Sequence, residues 1–373
     1  MNLFSYIDKY GYYTFDEVSF TEIDSVILSM LSYLELENIV SRSIYNPKKL
    51  SVVGYEYFKN YNKKEKKVLS VKRAIKILSY IKDTRRYGNL LLYNYLYEAN
   101  DDKQFGALTI EINNKLVFVS FEGTDHLISG WKEDFMMSYM FPVSSQKRAI
   151  DYINRNFLFR RKKIILGGHS KGGNLALVAG MYANFLVKDK IISIYNNDGP
   201  GLLEEQYKSV YYKNIKDKLI HIVPNYSIFG LLLCHGDNLE VVRSYRRSIF
   251  SHDPTTWVVN DDKFERISLS QFSKLIDEKI DRWLDNYSLE ERKIFVLALF
   301  NVFDKVGINS LVDVINNKRI VLKIISETRE IDEKSANMLR DFFKIIFSSF
   351  ANVKKEEISS FFEKINNKKQ EIE

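Results

Sequence analysis

Apolar positions recur at helical spacing through roughly the first hundred residues. Thr21-Glu22-Ile23-Asp24 has the form of a capping box and precedes Ile27, Leu28, Leu31 and Leu34, so a helix is expected there. A second amphipathic run covers Val68 to Ile81, after a lysine-rich stretch, Lys63 to Lys67, that reads as a solvated face. From Phe105 the period changes to two. Residues 107–112 and 116–121, separated by Asn113-Asn114, predict a hairpin that leads into a buried strand. Short apolar runs then alternate with helical stretches. Strands are expected at 163–166, 191–196, 219–223, 239–244 and 256–259, with helices at 146–157 and 173–186. Beyond about residue 262 the pattern is helical, charged and poor in glycine, with candidate helices at 269–287, 289–306 and 335–350 and a surface segment at 354–373.

This alternation is the habit of a mainly parallel sheet covered by helices, hence fold class α/β. Three regions follow: 1–103, mainly helical and packed on the core; 104–262, the α/β core; and 263–373, a C-terminal helical region. A 45% hydrophobic content over 373 residues is ample for a large core. No repeat at solenoid periods is visible.

Charge narrows the partners. The excess of 55 Lys and Arg over 48 Asp and Glu is interspersed, which argues against a nucleic-acid partner and leaves a weak attraction to anionic lipid, a peripheral membrane contact, open. The longest apolar stretches, 228–234 and 294–303, are too short to span a bilayer and read as core. The single Cys234 excludes an internal disulfide, and the opening Met1 to Asp8 lacks a basic region followed by an apolar run, so a cytoplasmic location is expected.

Candidate chemistry centres on Gly168-His169-Ser170-Lys171-Gly172. It follows the apolar run Lys163 to Leu166 and precedes a small-residue helix, the setting of a nucleophile elbow and of the α/β-hydrolase fold. A serine there is thrust out at the carboxyl edge of the sheet. The helix beginning after it offers its dipole and the Lys171 N–H to a developing oxyanion. The rival reading is a glycine-rich turn that binds phosphate at the helix N-terminus.

A serine nucleophile needs a base, and the chain order Ser, acid, His leaves His221, His235 and His252. His126 and His169 do not follow the serine. His221 lies inside an apolar strand and reads as a core histidine. His252, in a loop after the last strands, is the preferred base, and His235 is the alternative. For the acid, Asp198 ends the strand next after Ser170 and so lies at the same sheet edge. Asp237 is the runner-up, while Asp253, adjoining His252, would instead tune its loop. Asp198-Gly199 is also a common turn pair.

Phe118 to Asp125 and Gly130-Trp131-Lys132-Glu133-Asp134 resemble class 3 lipases, in which a strand ending in Phe-basic-Gly-Thr/Ser supplies the second oxyanion donor. That resemblance gives Thr124 the oxyanion role through its N–H and its hydroxyl, with Glu122 standing where the family has arginine. Together with His169 to Asn174, Asn197 to Gly201, Ser227 to Leu233, His252 to Trp257 and the opening from Tyr10 to Leu34, the chain resembles the Mbeg-like bacterial family of lipase-like α/β hydrolases over about residues 1–262. The resemblance sharpens the fold more than the reaction; the serine, base and acid candidates are what point to a serine esterase or lipase, without metal or organic cofactor, acting on a small-molecule or lipid ester. Phe229 to Leu233 are candidates for lining an acyl pocket, and Lys171 hints at an anionic headgroup. The alternative is an inactive scaffold that binds a protein or membrane partner.

Overall fold

The computed structural model describes residues 1–62, 67–100, 103–124, 128–236, 238–307 and 333–348. Lys63 to Lys66, His126, Asp237 and the surface segment 354–373 lie outside the described residues. Two compact units divide the chain, one of residues 1–125 with 129–270 and the other of 126–128 with 271–373.

The first unit is built on an eight-stranded sheet whose spatial order is the sequence order. Its strands are β1 (Lys48–Lys49), β2 (Leu91–Asn100), β3 (Lys103–Asn113), β4 (Leu116–Phe121), β5 (Lys163–His169), β6 (Ile191–Asn197), β7 (Leu219–Pro224) and β8 (Leu239–Val242). The pairs from β1 to β4 are antiparallel, and those from β4 to β8 are parallel. The expected hairpin is β3 and β4. The expectation that the first hundred residues are mainly helical misses β2, whose Leu91-Leu92-Tyr93-Asn94-Tyr95-Leu96-Tyr97 is rich in aromatic strand formers but lacks the two-residue apolar alternation. The strand expected at 256–259 is also displaced. Pro254 to Thr256 form a 3-10 turn, and Val259–Asn260 (β9) pairs with Lys263–Phe264 (β10) in a separate two-stranded sheet.

Side-chain alternation assigns the two faces. Val117, Val119, Phe121, Ile164, Leu166 and Ile194 point into one buried cluster, and Phe118, Ile165, Tyr195 and Ile222 into another. Parallel strands taken in sequential order with right-handed crossovers place every crossover helix on one side. Ser144–Phe157 and Lys171–Tyr182 accordingly pack on the first face. The opposite face would be bare apolar surface, and the N-terminal helices Leu3–Tyr10 (α1), Glu22–Met30 (α2), Leu50–Asn60 (α3) and Leu69–Ile81 (α4) provide its cover. Thr21 caps α2 in the expected box with Asp24. Asp24 also forms a fully buried ion pair with Arg86 (Nη2 to Oδ2, 2.6 Å) and accepts the Tyr87 hydroxyl at 2.6 Å. This three-layer plan is that of an α/β hydrolase.

The remaining helices of this unit are α5 (Ile128–Met136, whose first residue groups with the second unit), α6 (Ser144–Phe157), α7 (Lys171–Tyr182), α8 (Phe185–Lys188), α9 (Glu204–Lys208) and α10 (Val210–Lys213). In the second unit α11 (Gln271–Asp285), α12 (Leu289–Val306) and α13 (Glu333–Ser348) bury Ile276, Trp283, Phe295, Val296, Leu299 and Leu339, with Trp283 edge-on to Phe295 at 4.9 Å.

Candidate active site

β5 delivers the chain to Ser170, and α7 begins at the next residue. Ser170 has φ 59° and ψ −135°, a region that a residue with a side chain rarely occupies. Its N–H donates to Asn197 O at 3.0 Å, and its carbonyl accepts from Gly173 N–H at 2.9 Å, so the turn is clamped on both sides. The flanking glycines are steric requirements. A Cβ on Gly168 would lie 2.2 Å from the Gly172 carbonyl carbon, and one on Gly172 would lie 2.1 Å from Phe121 O. This is the elbow that the glycine spacing predicts.

Asp198 leaves β6 beside it. In the parallel register His169 sits opposite Asn197, so Ser170 and Asp198 emerge from neighbouring strands at the same edge. The Asp198 carboxylate is fully buried. Oδ1 accepts the Ser227 hydroxyl at 2.5 Å and the Gly230 N–H at 3.2 Å, and Oδ2 accepts Nδ1–H of His252 at 2.6 Å. These donors orient the carboxylate toward the imidazole. With Nδ1 engaged, Nε2 is the nitrogen left for proton transfer. Among the described residues, no hydrogen bond joins Ser170 Oγ to His252.

The elbow itself holds the His252 loop. His169 Nε2 lies 2.8 Å from His252 O and Nδ1 lies 3.2 Å from the Tyr33 hydroxyl, while the two imidazole centroids lie 4.4 Å apart with their planes tilted by 34°. The carbonyl can only accept, so Nε2 carries the proton and Nδ1 is an acceptor, which shares the single Tyr33 hydroxyl proton with His169 O, also at 3.2 Å. Burial, and then the neighbouring His252, push the His169 pKa well below the usual histidine range, which keeps this ring neutral. Reading the chain order set His169 aside. Its role depends on contacts 136 and 83 residues away in sequence, for which the chain offers no local signal. The loop is further tied by Arg73 to Asp253 (2.6 Å) and by Trp257 Nε1 to Ser251 O (2.8 Å), and Phe229 packs on the other side of His252 at 4.4 Å. Asp253 thus fixes the loop and does not bond the ring.

Thr124, the expected oxyanion donor, follows β4, whose Phe121 is paired with Gly168. Its hydroxyl donates to Asp134 Oδ2, so only its N–H remains as a donor, which removes the expected second contribution of the hydroxyl. The Lys171 N–H opens α7 and has no carbonyl four residues back within the helix. The Lys171 side chain corrects a further expectation. Its buried ammonium binds Glu133 Oε2 (3.1 Å) and Gln104 O (3.0 Å), while Glu133 Oε1 accepts Ser145 N–H at 2.7 Å. It is an internal ion pair and cannot meet an anionic headgroup. Glu122 is likewise buried.

His221 and His235 stand apart. His221 is buried, with Nε2 3.0 Å from Gly199 O, and burial pushes its pKa down to about 3, as befits a core histidine. His235 has Nδ1 on Gly236 O at 3.0 Å, and among the described residues the hydrogen bond received by Asp198 from a histidine comes from His252. The runner-up acid, Asp237, lies outside the described residues. Among the described residues no group of three or more His, Cys, Asp or Glu has metal-site geometry, and no helix is long and apolar enough to cross a membrane.

Comparison with known proteins agrees with the residue pattern. The profile of the Mbeg1-like family matches residues 81–301. Among curated proteins, no match is found. Of solved structures, the chain is similar to M37 lipase, at 15% identity and a TM-score of 0.35, over 57% of this chain and 70% of that one.

Proposed function

The chain belongs to the Mbeg1-like family, and from that premise we propose that it is a serine hydrolase of esterase or lipase type with Ser170, His252 and Asp198 as its catalytic residues. The single observation that carries this reading is the 2.6 Å bond between Asp198 Oδ2 and His252 Nδ1 at the sheet edge where the elbow presents Ser170. A buried carboxylate that receives Nδ1–H fixes the imidazole tautomer with a basic Nε2 and stabilises the imidazolium that forms later.

His252 Nε2 takes the Ser170 proton as Oγ attacks the ester carbonyl. The tetrahedral oxyanion is held by the N–H groups of Lys171 and Thr124. Collapse expels the alcohol, which takes the proton from His252 and leaves an acyl-serine. Water, deprotonated by the same imidazole, then releases the carboxylic acid and restores Ser170. Phe229, packed on His252, and Trp131, 6.3 Å from Phe229, give the edge an apolar wall suited to an acyl chain.

Labelling with a fluorophosphonate, followed by a panel of aryl, short-chain and lipid esters, tests the proposal. The wild-type chain should be labelled at Ser170, and Ser170→Ala should lose both label and turnover. Equal labelling of the two proteins would overturn it in favour of an inactive scaffold.

A further inference from the structure

The catalytic groups occupy the carboxyl edge of the parallel strands, and the opposite edge has a distinct chemistry. Four segments meet there because each directly precedes or flanks a parallel strand: 111–115 before β4, 158–163 into β5, 184–192 into β6 and 210–218 before β7. Backbone bonds stitch them together, with Lys163 N–H on Lys115 O and Ile164 N–H on Lys190 O, both within 2.9 Å.

These segments hold ten Lys and Arg against three acids, a surplus of seven. That equals the +7 net charge of the whole chain, so the excess charge that looks interspersed in the sequence is gathered on one edge by the fold. Little of it is neutralised locally. Lys162 pairs with Glu111 at 2.7 Å, but Lys188, Lys190 and Lys218 place their ammonium groups on the backbone carbonyls of Met181, Phe157 and Lys188. Arg161, Lys163, Lys213 and Lys216 are exposed.

Apolar side chains project through this charge. Phe159 is 92% exposed, Phe185 68% and Val210 60%, with Leu186 and Tyr211 exposed beside them. Scattered exposed apolar residues are ordinary. Here they are concentrated on the three segments that carry the surplus cations, 158–163, 184–192 and 210–218, the pairing of features that binds the interfacial region of an anionic bilayer, where phosphates meet lysine and arginine and apolar side chains sink to the acyl boundary. Nucleic acid would use the cations and the aromatic rings, but Val210 and Leu186 have no ring face on which a base could stack.

We propose that the amino edge of the parallel strands docks this protein on an anionic lipid bilayer. The surface is independent of the catalytic reading. It lies a strand's length, roughly 20 Å, from the edge that carries Ser170. If the hydrolase reading also holds, a docked molecule therefore presents its site to the aqueous side and takes its ester from there.

Co-sedimentation of the full chain with vesicles tests the docking surface. The wild type should bind phosphatidylcholine vesicles containing phosphatidylglycerol and should not bind pure phosphatidylcholine. High salt should release it. Phe159→Ser with Phe185→Ser should weaken binding roughly tenfold, and Arg161→Glu with Lys163→Glu should abolish it. The control pair Lys49→Glu with Lys72→Glu, on exposed lysines outside these segments, should leave binding unchanged. Circular dichroism melts establish that each variant is folded. Failure of the wild type to bind anionic vesicles would overturn the proposal, as would equal loss in the control pair. Tighter binding to single-stranded RNA, with the phenylalanine pair having no effect on vesicle binding, would replace lipid with nucleic acid. None of these outcomes depends on whether Ser170 reacts with a fluorophosphonate.

Discussion

At the scale of single residues, the organisation of the site is a chain of hydrogen bonds with one direction at each link. Asp198 fixes Nδ1 of His252, and His169 fixes the His252 backbone from below. Ser170 and His169 are neighbours in the elbow, so one turn places Ser170 and also anchors the loop that carries His252. On the proposed reading, His169→Phe should keep the ring contact but lose the bond to His252 O, lowering kcat about ten- to a hundredfold with little change in KM. His169→Gln, whose amide can donate to the same carbonyl, should recover part of that loss. Steady-state kinetics on any ester that the wild type turns over would decide it, and equal defects in the two variants would show that the bond does not position the base. The elbow was legible in the sequence because glycine spacing is a local signal. The tie from His169 to His252 was not, because it is a contact made only by the folded chain. The direction of the Lys171 side chain was hidden for the same reason, since its partner Glu133 stands 38 residues away on α5.

At the scale of elements, the N-terminal layer is tied to the connection between α4 and β2 by a buried charge as well as by apolar contact. Arg86 binds Asp24 on α2 with no solvent exposure on either side chain, and it also donates to Val18 O and Ser19 O. Arg86→Met would leave the Asp24 carboxylate buried without its cation and should cost about 3 kcal/mol or more, read as a lower midpoint in urea denaturation. β7 makes a second prediction. His221 is held neutral with its pKa near 3, and His169 is also lowered, so the unfolded chain takes up protons below about pH 6.5 that the folded chain refuses. Stability is therefore complete above that pH and is lost as pH falls from there toward the folded values, by up to about 1.4 kcal/mol per pH unit for each histidine. His221→Asn, which retains a donor for Gly199 O, should make the melting temperature between pH 7 and pH 4.5 less dependent on pH. Elements with a strong period were readable from the sequence: the β3–β4 hairpin, β5 to β8, and α12 at its expected boundaries. β2 was not, because its tyrosines and leucines are buried on both faces between two antiparallel neighbours and show no alternation.

At the scale of the whole molecule, sequential parallel strands create the need for a helical cover, separate the edge that carries Ser170 from a basic one, and bring the surplus charge of distant segments together. No window of sequence contains that sorting, which is why an interspersed charge pattern becomes a polarised surface. The backbone at Ser170 has a consequence at the same scale. A conformation that suits glycine and burdens serine costs about 1–3 kcal/mol, a sizeable share of the roughly 5–15 kcal/mol that stabilises a typical protein. Ser170→Gly should therefore melt at a higher temperature than the wild type while losing all reactivity toward a fluorophosphonate. Durability and reactivity are opposed at this one position, and a descendant chain with no use for the hydroxyl would be more stable without it.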